Sequence, residues 1–479
     1  MQQPNQGGPQ LNYILSEANG QLKFDFSETL LMIPSFLPGF TNSNTETVTT
    51  KSGKSAFCFK GTLDLPESER VCTCGCRMQK NDSTSITLRH LPFGGSYTVL
   101  NFDKVQLFCP KCKATKMQYV SFAAPGHRMT AELYNYARDL LARGTYTLKE
   151  VAELTGLGRN TVKDIDLQRL KEKYTIDGEK LAKPEKQAVF LGIDEFKLHN
   201  GHKYATHITD LHTGHILWIQ AGKKKQVVYD FIDFVGLDWM KEVKAVACDM
   251  NSDFQEAFLE KCPHLKIVFD HFHIIKNFNE KVVAPVRIAE QKRLMEAGDT
   301  EAAESLKHTK YILTSKRTTL QRKDQEAREG RIISKGSTLF KEEQRVRKEG
   351  YEAKYDALLE ENKLLFTIDL IKEKLDNAYK LTDPVKMGTA IADIVWDCMH
   401  TGNEHFEWFG RLLMNHHDGI ITYAVYHIST GKMEGINNKI KTIRRQGYGY
   451  PDDEYFFLKL IDMSRVDYVR NPKSHKFCD

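Results

Sequence analysis

Between Ala188 and Phe269 the chain alternates short apolar runs with helical ones, and this alternation restricts the fold more than any other feature. Val189-Phe190-Leu191-Gly192-Ile193-Asp194 is a continuous apolar run of strand length, as expected where a sheet is covered on both faces. Tyr204–Thr209 and His215–Gln220 flank His212-Thr213-Gly214, a hairpin signal. Val227–Val235 has a helical period, Val243–Asp249 reads as a strand, Ser252–Lys261 as a helix and Leu265–Phe269 as a strand. The order βββαβαβ predicts a multidomain α/β protein with a mixed sheet at its centre.

Two aspartates close buried strands in this pattern. Asp194 ends the first and Asp249 the fourth, where an ionised carboxylate is tolerated poorly without a cation or a partner. Neighbouring strands would set the two side by side, and paired carboxylates bind Mg²⁺. A third acid would complete a two-metal site for phosphoryl transfer. Glu434 is the candidate. Read as a helix, Met433–Arg445 shows Glu434, Asn438, Lys441 and Arg445 on one face, placing an acid beside a basic stripe suited to phosphates. Asp270 and His273, after the last strand, could position water or phosphate near the metals, or be satisfied polar residues at a strand end. Glu195 points to the face opposite Asp194 if the strand continues.

Upstream, five of the ten cysteines crowd into residues 72–112. Cys109-Pro110-Lys111-Cys112 is a knuckle whose thiolates can share one tetrahedral ion, and any two of Cys72, Cys74 and Cys76 would complete a structural Zn²⁺ site. A disulfide framework is disfavoured in a long chain whose start lacks the basic and apolar stretches of an export signal. Next comes a helix-turn-helix pattern. Thr147 and Glu150 form a capping box, Gly156 supplies the turn, and Arg159, Asn160, Thr161 and Lys163 face outward on the second helix for DNA.

Hydrophobic residues are 41% of the 479 and charged residues 27%, which excludes a disordered chain. No apolar run reaches the roughly 18 residues of a membrane helix, so no membrane role is expected. Net charge is +5, concentrated in Lys316–Gly350 (eleven basic, six acidic) and Lys432–Arg445 (five basic, one acidic), as suits a polyanion or a solvated helix face. The four tryptophans read as core residues.

The ordered set of a cysteine-rich start, a helix-turn-helix, Gly192-Ile193-Asp194-Glu195-Phe196, Asp249-Met250-Asn251, Asp270-His271-Phe272-His273 and Glu434-Gly435-Ile436-Asn437-Asn438-Lys439-Ile440-Lys441 resembles the bacterial insertion-sequence transposases of the ISL3 family. The resemblance covers residues 55–460. It implies an RNase H-like catalytic core with a helical insertion before the glutamate and a DDE triad of Asp194, Asp249 and Glu434. Lys441 fits the spacing from that glutamate seen in several DDE transposases. The cysteine pattern departs from the family's C-x-x-C first knuckle.

The expected divisions are a polar segment (1–54), a zinc-binding domain (55–122), a helix-turn-helix domain (123–183), the first part of the core (184–284), a helical insertion (285–400) and the second part of the core with a tail (401–479). The expected function is a cytoplasmic, nucleoid-associated DNA transposase. It would bind terminal inverted repeats as a homodimer on double-stranded DNA, then cleave and transfer strands into target DNA. Two Mg²⁺ ions, with Mn²⁺ as a substitute, would serve as cofactors beside the structural Zn²⁺. A non-catalytic DNA-binding regulator and a nuclease that cannot join strands are the alternatives.

Overall fold

The computed structural model describes residues 15–18, 21–24, 37–50, 53–199, 201, 203–250, 252–269, 271–334, 345–360, 362–428, 431–447 and 450–466. They fall into two units, one reaching to Leu181 and including Gln446–Tyr450, the other Ala182–Arg445 with the segment from Pro451. No helix among the described residues is long and apolar enough to cross a membrane.

In the first unit, strands β1 (Phe40–Thr49), β2 (Ser55–Leu63), β3 (Gln79–Phe93) and β4 (Ser96–Phe108) form a sheet of order β1-β2-β4-β3, and the short β5 (Thr115–Met117) pairs with the end of β4. Phe40, Phe102 and Phe122 meet edge to face at 5.7–6.3 Å over its buried side. Helices α1 (Ala131–Ala142), α2 (Leu148–Thr155) and α3 (Arg159–Tyr174) follow. The Thr130 hydroxyl caps α1 by accepting from the Leu133 N–H at 3.4 Å. Sheet and helices share this unit: the Tyr97 hydroxyl donates to the Glu153 carbonyl at 2.9 Å. The Tyr97 ring packs against Gly156, where an added Cβ would come within 2.8 Å of it.

In the second unit the sequence order βββαβαβ holds: β6 (Phe190–Lys197), β7 (Tyr204–Asp210), β8 (Ile216–Ala221), α4 (Lys225–Val235), β9 (Ala245–Ala247), α5 (Ser252–Lys261) and β10 (Lys266–Val268). The sheet order is β8-β7-β6-β9-β10. The first three strands are antiparallel, whereas β9 runs parallel to both β6 and β10. The β7–β8 hairpin is tied by Asp210, whose carboxylate accepts from the His212 N–H at 2.8 Å and the Thr213 hydroxyl at 2.6 Å. One expectation needs correcting. Asp194 does not end β6, which continues to Lys197 because β7 pairs with it through Asp194↔His207 and Lys197↔Tyr204. The pairing with β9 stops earlier, at Gly192↔Ala247.

Beyond the sheet come α6 (His271–Phe278), α7 (Ala284–Glu296), α8 (Arg317–Arg328), α9 (Tyr351–Glu360), α10 (Lys363–Ala378) and α11 (Pro384–Met399). The chain returns through α12 (Glu404–Asn415), α13 (His417–Tyr426), α14 (Gly431–Gln446) and α15 (Asp453–Met463). One hydrophobic cluster joins Leu191 and Ile193 of the sheet and Phe231 of α4 to Ile368, Ile391 and Phe409 of these helices. Helices α10 to α13 are thus packed into the sheet's own core. Trp218 and Trp239 belong to that core as expected. Trp396 and Trp408 do not: Trp396 is 65% exposed and stacks on His400 at 3.8 Å. Much of the basic run from Lys316 is neutralised internally, with Arg317 on Asp356 at 2.6 Å, Lys316 on Asp376 at 2.8 Å and Arg331 on Glu326 at 2.6 Å.

Candidate catalytic and metal sites

Alternation along β6 sends Leu191 and Ile193 into the main core and turns Gly192 and Asp194 to the other face. That second face carries Leu211, Ala245, Ala247, Val268, Ile428 and Met433. Gly192 lies beside Ala247 in the parallel register. Two residues further along each segment stand Asp194 and Asp249. Their charges act together on their surroundings. Burial pushes the Cys248 thiol well up, and Asp249 and Asp194 push it further. The Glu195 carboxyl is raised first by burial, against the pull of Lys223, and then by Asp249 and Asp194. Its buried Oε2 has no hydrogen-bond partner. Glu195 therefore feels both aspartates, a relation its position on the opposite side of the strand does not predict.

Helix α14 lies lengthwise on this face and runs in the direction of β6. Met433 sits over Gly192, Asn437 donates to Asp194 Oδ2 at 2.6 Å, and Arg444 donates to the Lys197 carbonyl at 2.6 Å. The helical rise from Met433 to Arg444 and the strand rise from Gly192 to Lys197 are each about 16 Å, so the two elements stay in step. The inner side of the helix is apolar, with Met433, Ile436, Ile440 and Ile443 buried. Glu434, Asn438, Lys441 and Arg445 are exposed, as the sequence face predicts. Among the described residues the three acids are not gathered within 4.8 Å of one another; a cysteine cluster alone meets that spacing.

Asp194 is held on both oxygens. Oδ1 accepts the Glu195 N–H at 2.8 Å, and Oδ2 accepts Asn437 Nδ2. Asn437 Oδ1 faces His207 Nε2 at 3.2 Å, and His207 Nδ1 lies 3.0 Å from the Thr209 hydroxyl. His207 is fully buried, and burial lowers its pKa against the opposing charge of Asp194. Sequence reading passes over Asn437 and His207. The alternation of β7 does place His207 opposite Asp194, but only the sheet register reveals it. His273, on α6, packs edge-on against Phe272 at 5.6 Å. Asp270 lies outside the described residues.

The sulfur site is sharply defined. The Sγ atoms of Cys72, Cys74, Cys109 and Cys112 all lie within 4.8 Å of one another. Cys72 stands 3.4 Å from Cys112, and Cys74 3.5 Å from Cys109. Cys76 is outside the cluster, so of the first three cysteines it is Cys72 and Cys74 that stand with the knuckle. The backbone N–H of Cys74 and the Cys112 thiol draw Cys72 down to about 6. For Cys74 the N–H of Cys76 pulls down, but the Cys109 thiol, burial and the other thiols prevail and push it up to about 12. Four soft donors so close repel as thiolates, and the cluster is compatible with a tetrahedral Zn²⁺.

In the helix-turn-helix, Glu150 Oε2 accepts the Thr147 N–H at 2.7 Å and the Glu150 N–H reaches the Thr147 hydroxyl at 3.2 Å, completing the capping box. Gly156 adopts φ 72°, the left-handed turn conformation. Val151, Ala152, Val162 and Ile165 form the shared core of the two helices. Arg159 and Asn160 are exposed at the start of α3, and Thr161 and Lys163 are half-buried.

A family profile described as a transposase matches residues 191–460, and the helix-turn-helix domain of transposase family ISL3 matches residues 119–170. The chain is 27% identical over 389 residues to the transposase for insertion sequence element IS1001 of Bordetella parapertussis, covering 81% of this chain and 86% of that relative. It is 27% identical over 85 residues to the transposase for insertion sequence element IS1557 of Mycobacterium tuberculosis, which is 18% of this chain and 19% of the relative. With more than half of its length matched by the transposase profile, the chain belongs to the ISL3 family of transposases.

Proposed function

We propose that this transposase binds the terminal inverted repeats of its element, cleaves the DNA strand at their ends and joins the freed 3′ ends to target DNA. Asp194, Asp249 and Glu434 are the metal ligands in this reading. The observation that supports it is the parallel register of Gly192 with Ala247, two residues before Asp194 and Asp249, together with the bond to Asp194 from Asn437 of the helix bearing Glu434. The sheet order β8-β7-β6-β9-β10 and the helices between β10 and α14 support an RNase H-like core with a helical insertion.

The donor set suits hard cations, since three carboxylates offer only oxygen. Two Mg²⁺ ions, or Mn²⁺ in their place, would supply activation of the attacking oxygen and stabilisation of the leaving one. The chain's own residues do the rest. Lys441 and Arg445, exposed on the helix of Glu434, bind backbone phosphates and align the scissile bond. Asn437 and the Glu195 N–H orient Asp194. Arg159, Asn160, Thr161 and Lys163 face the major groove, with Zn²⁺ on the four cysteines stabilising the sheet beside them. The protein works in the cytoplasm on nucleoid DNA, as a homodimer that pairs two ends.

The test is incubation with labelled DNA carrying the element's own ends, with Mg²⁺ and then with EDTA. Cleavage and joining that stop on chelation are expected. Binding without cleavage would point to a regulator, and cleavage without joining to a nuclease; either overturns the proposal.

A further inference from the structure

Asn437 occupies a position that neither an amphipathic surface helix nor a phosphate-binding stripe requires. It lies one helical turn after Glu434, half-buried, and bridges two groups on different strands. Its orientation follows from its partners. An ionised Asp194 only accepts, so the Asn437 amide nitrogen must face it and the amide oxygen must face His207. His207 must then carry its proton on Nε2, which leaves Nδ1 to accept from the Thr209 hydroxyl. The chain of donors Thr209, His207, Asn437 runs in one direction and ends on the Asp194 carboxylate. Thr209 and His207 are both fully buried, so water does not compete for these bonds and each polarises the next.

We propose that Asn437, held by His207, is a positioning residue that fixes the Asp194 carboxylate and sets the helix of Glu434 in register with it, so that the metal site is assembled before DNA arrives. The proposal rests on the reading of Asp194, Asp249 and Glu434 as metal ligands. One Asp194 oxygen is anchored by its own strand through the Glu195 N–H and the other by α14 through Asn437. Each oxygen keeps a free lone pair for a cation. The same amide is the polar tie between α14 and the centre of β6, where the helix otherwise rests on apolar contacts and on Arg444 at the far end of the strand. Losing it would free the carboxylate to rotate and let the helix carrying Glu434 shift.

The experiment measures Mn²⁺ binding to the full chain by electron paramagnetic resonance, alongside Mg²⁺ titration of end cleavage. Asn437→Ala and His207→Leu should each weaken Mn²⁺ binding by about 10–100-fold, the usual effect of removing a partner that orients a metal ligand. His207→Gln keeps an N–H donor toward Asn437 and should stay close to the wild type. Extra Mg²⁺ should restore much of the cleavage lost by Asn437→Ala. Wild-type Mn²⁺ affinity in Asn437→Ala would overturn the proposal. Should that variant lose its thermal transition, the His207 pair decides: equal affinity in His207→Leu and His207→Gln overturns it as well. Failure of the underlying reading looks different, because then Asp194→Asn would bind Mn²⁺ as the wild type does.

Discussion

Met433 lies directly over Gly192: a Cβ built on the glycine would stand 2.3 Å from Met433 Sδ and 2.7 Å from Leu211 Cδ2. The missing side chain lets α14 settle against β6 at the level where the neighbouring strand runs out. Gly192→Ala should therefore act by overpacking, costing about 1–3 kcal/mol and lowering the melting temperature. Because two of the three nearest atoms belong to a flexible methionine, Met433→Ala in the same chain should return part of that loss, leaving the clash with Leu211. Strict additivity of the two substitutions in thermal melts would mean the helix is not seated there.

Zinc content distinguishes the cysteines. Purified protein should hold about one Zn²⁺ per chain in the sulfur cluster. Cys74→Ser and Cys109→Ser should release it and destabilise the β3–β4 end of the sheet, whereas Cys76→Ser should retain it. Metal analysis of the three variants checks this, and full occupancy in Cys109→Ser would refute the site.

DNA binding should depend on the N-terminal part of α3. Arg159→Ala and Lys163→Ala are expected to weaken binding to the element's ends, and each lost phosphate contact should reduce the salt slope by about one. Asn160→Ala should instead relax sequence preference if it reads a base edge. Titrations at several salt concentrations separate these effects. Unchanged affinity and selectivity would place DNA reading on another surface.

Glu434→Gln keeps the size of the side chain and removes its charge. It should abolish Mg²⁺-dependent strand cleavage while leaving end binding nearly intact, since Glu434 is exposed and takes no part in the apolar seat of α14. Retained cleavage would exclude Glu434 as the third acid.

Lys372 gives stability a pH signature. It is buried on α10 and its Nζ donates to the Leu313 carbonyl at 2.9 Å. Burial above all, with Lys316 and Arg317 nearby, lowers its pKa from 10.5 to about 8 despite the pull of Asp369 and Asp376. Between those two values the unfolded chain holds a proton that the folded chain has released. Unfolding then takes up a proton, so stability rises with pH across that window, by about 3 kcal/mol in total. Denaturation of wild type and Lys372→Met compared from pH 7 to 10.5 should show a gain in the wild type that the variant lacks.

The local structure of this chain is written where neighbours in sequence suffice. The capping box of Thr147 and Glu150, the left-handed turn at Gly156 and the order of elements from Ala188 onward depend on residues a few positions apart, and all were legible. So was the exposed face of α14, because a helical period carries side-chain direction with it. The end of β6 was not, because strand length is set by the partner: β7 keeps pairing to Lys197 after β9 has stopped. The exposure of Trp396 is not legible either, since a large apolar ring reads as core and only the packing leaves it 65% exposed.

By itself the sequence determined the inventory: a cysteine knuckle, a helix-turn-helix, two aspartates in a mixed α/β run and a glutamate on a basic helix, each specified by local spacing and period. Tertiary structure decided which members of that inventory meet. Cys74 rather than Cys76 joins the sulfur cluster, its Sγ standing 3.5 Å from that of Cys109, 35 positions away in the chain. Asn437 reaches Asp194 across 243 positions of chain because Gly192 lets the helix approach and Met433 packs with Leu211, Ala247 and Val268 on that face of the sheet. Such contacts depend on the register of strands and the depth of packing, which no run of adjacent residues encodes.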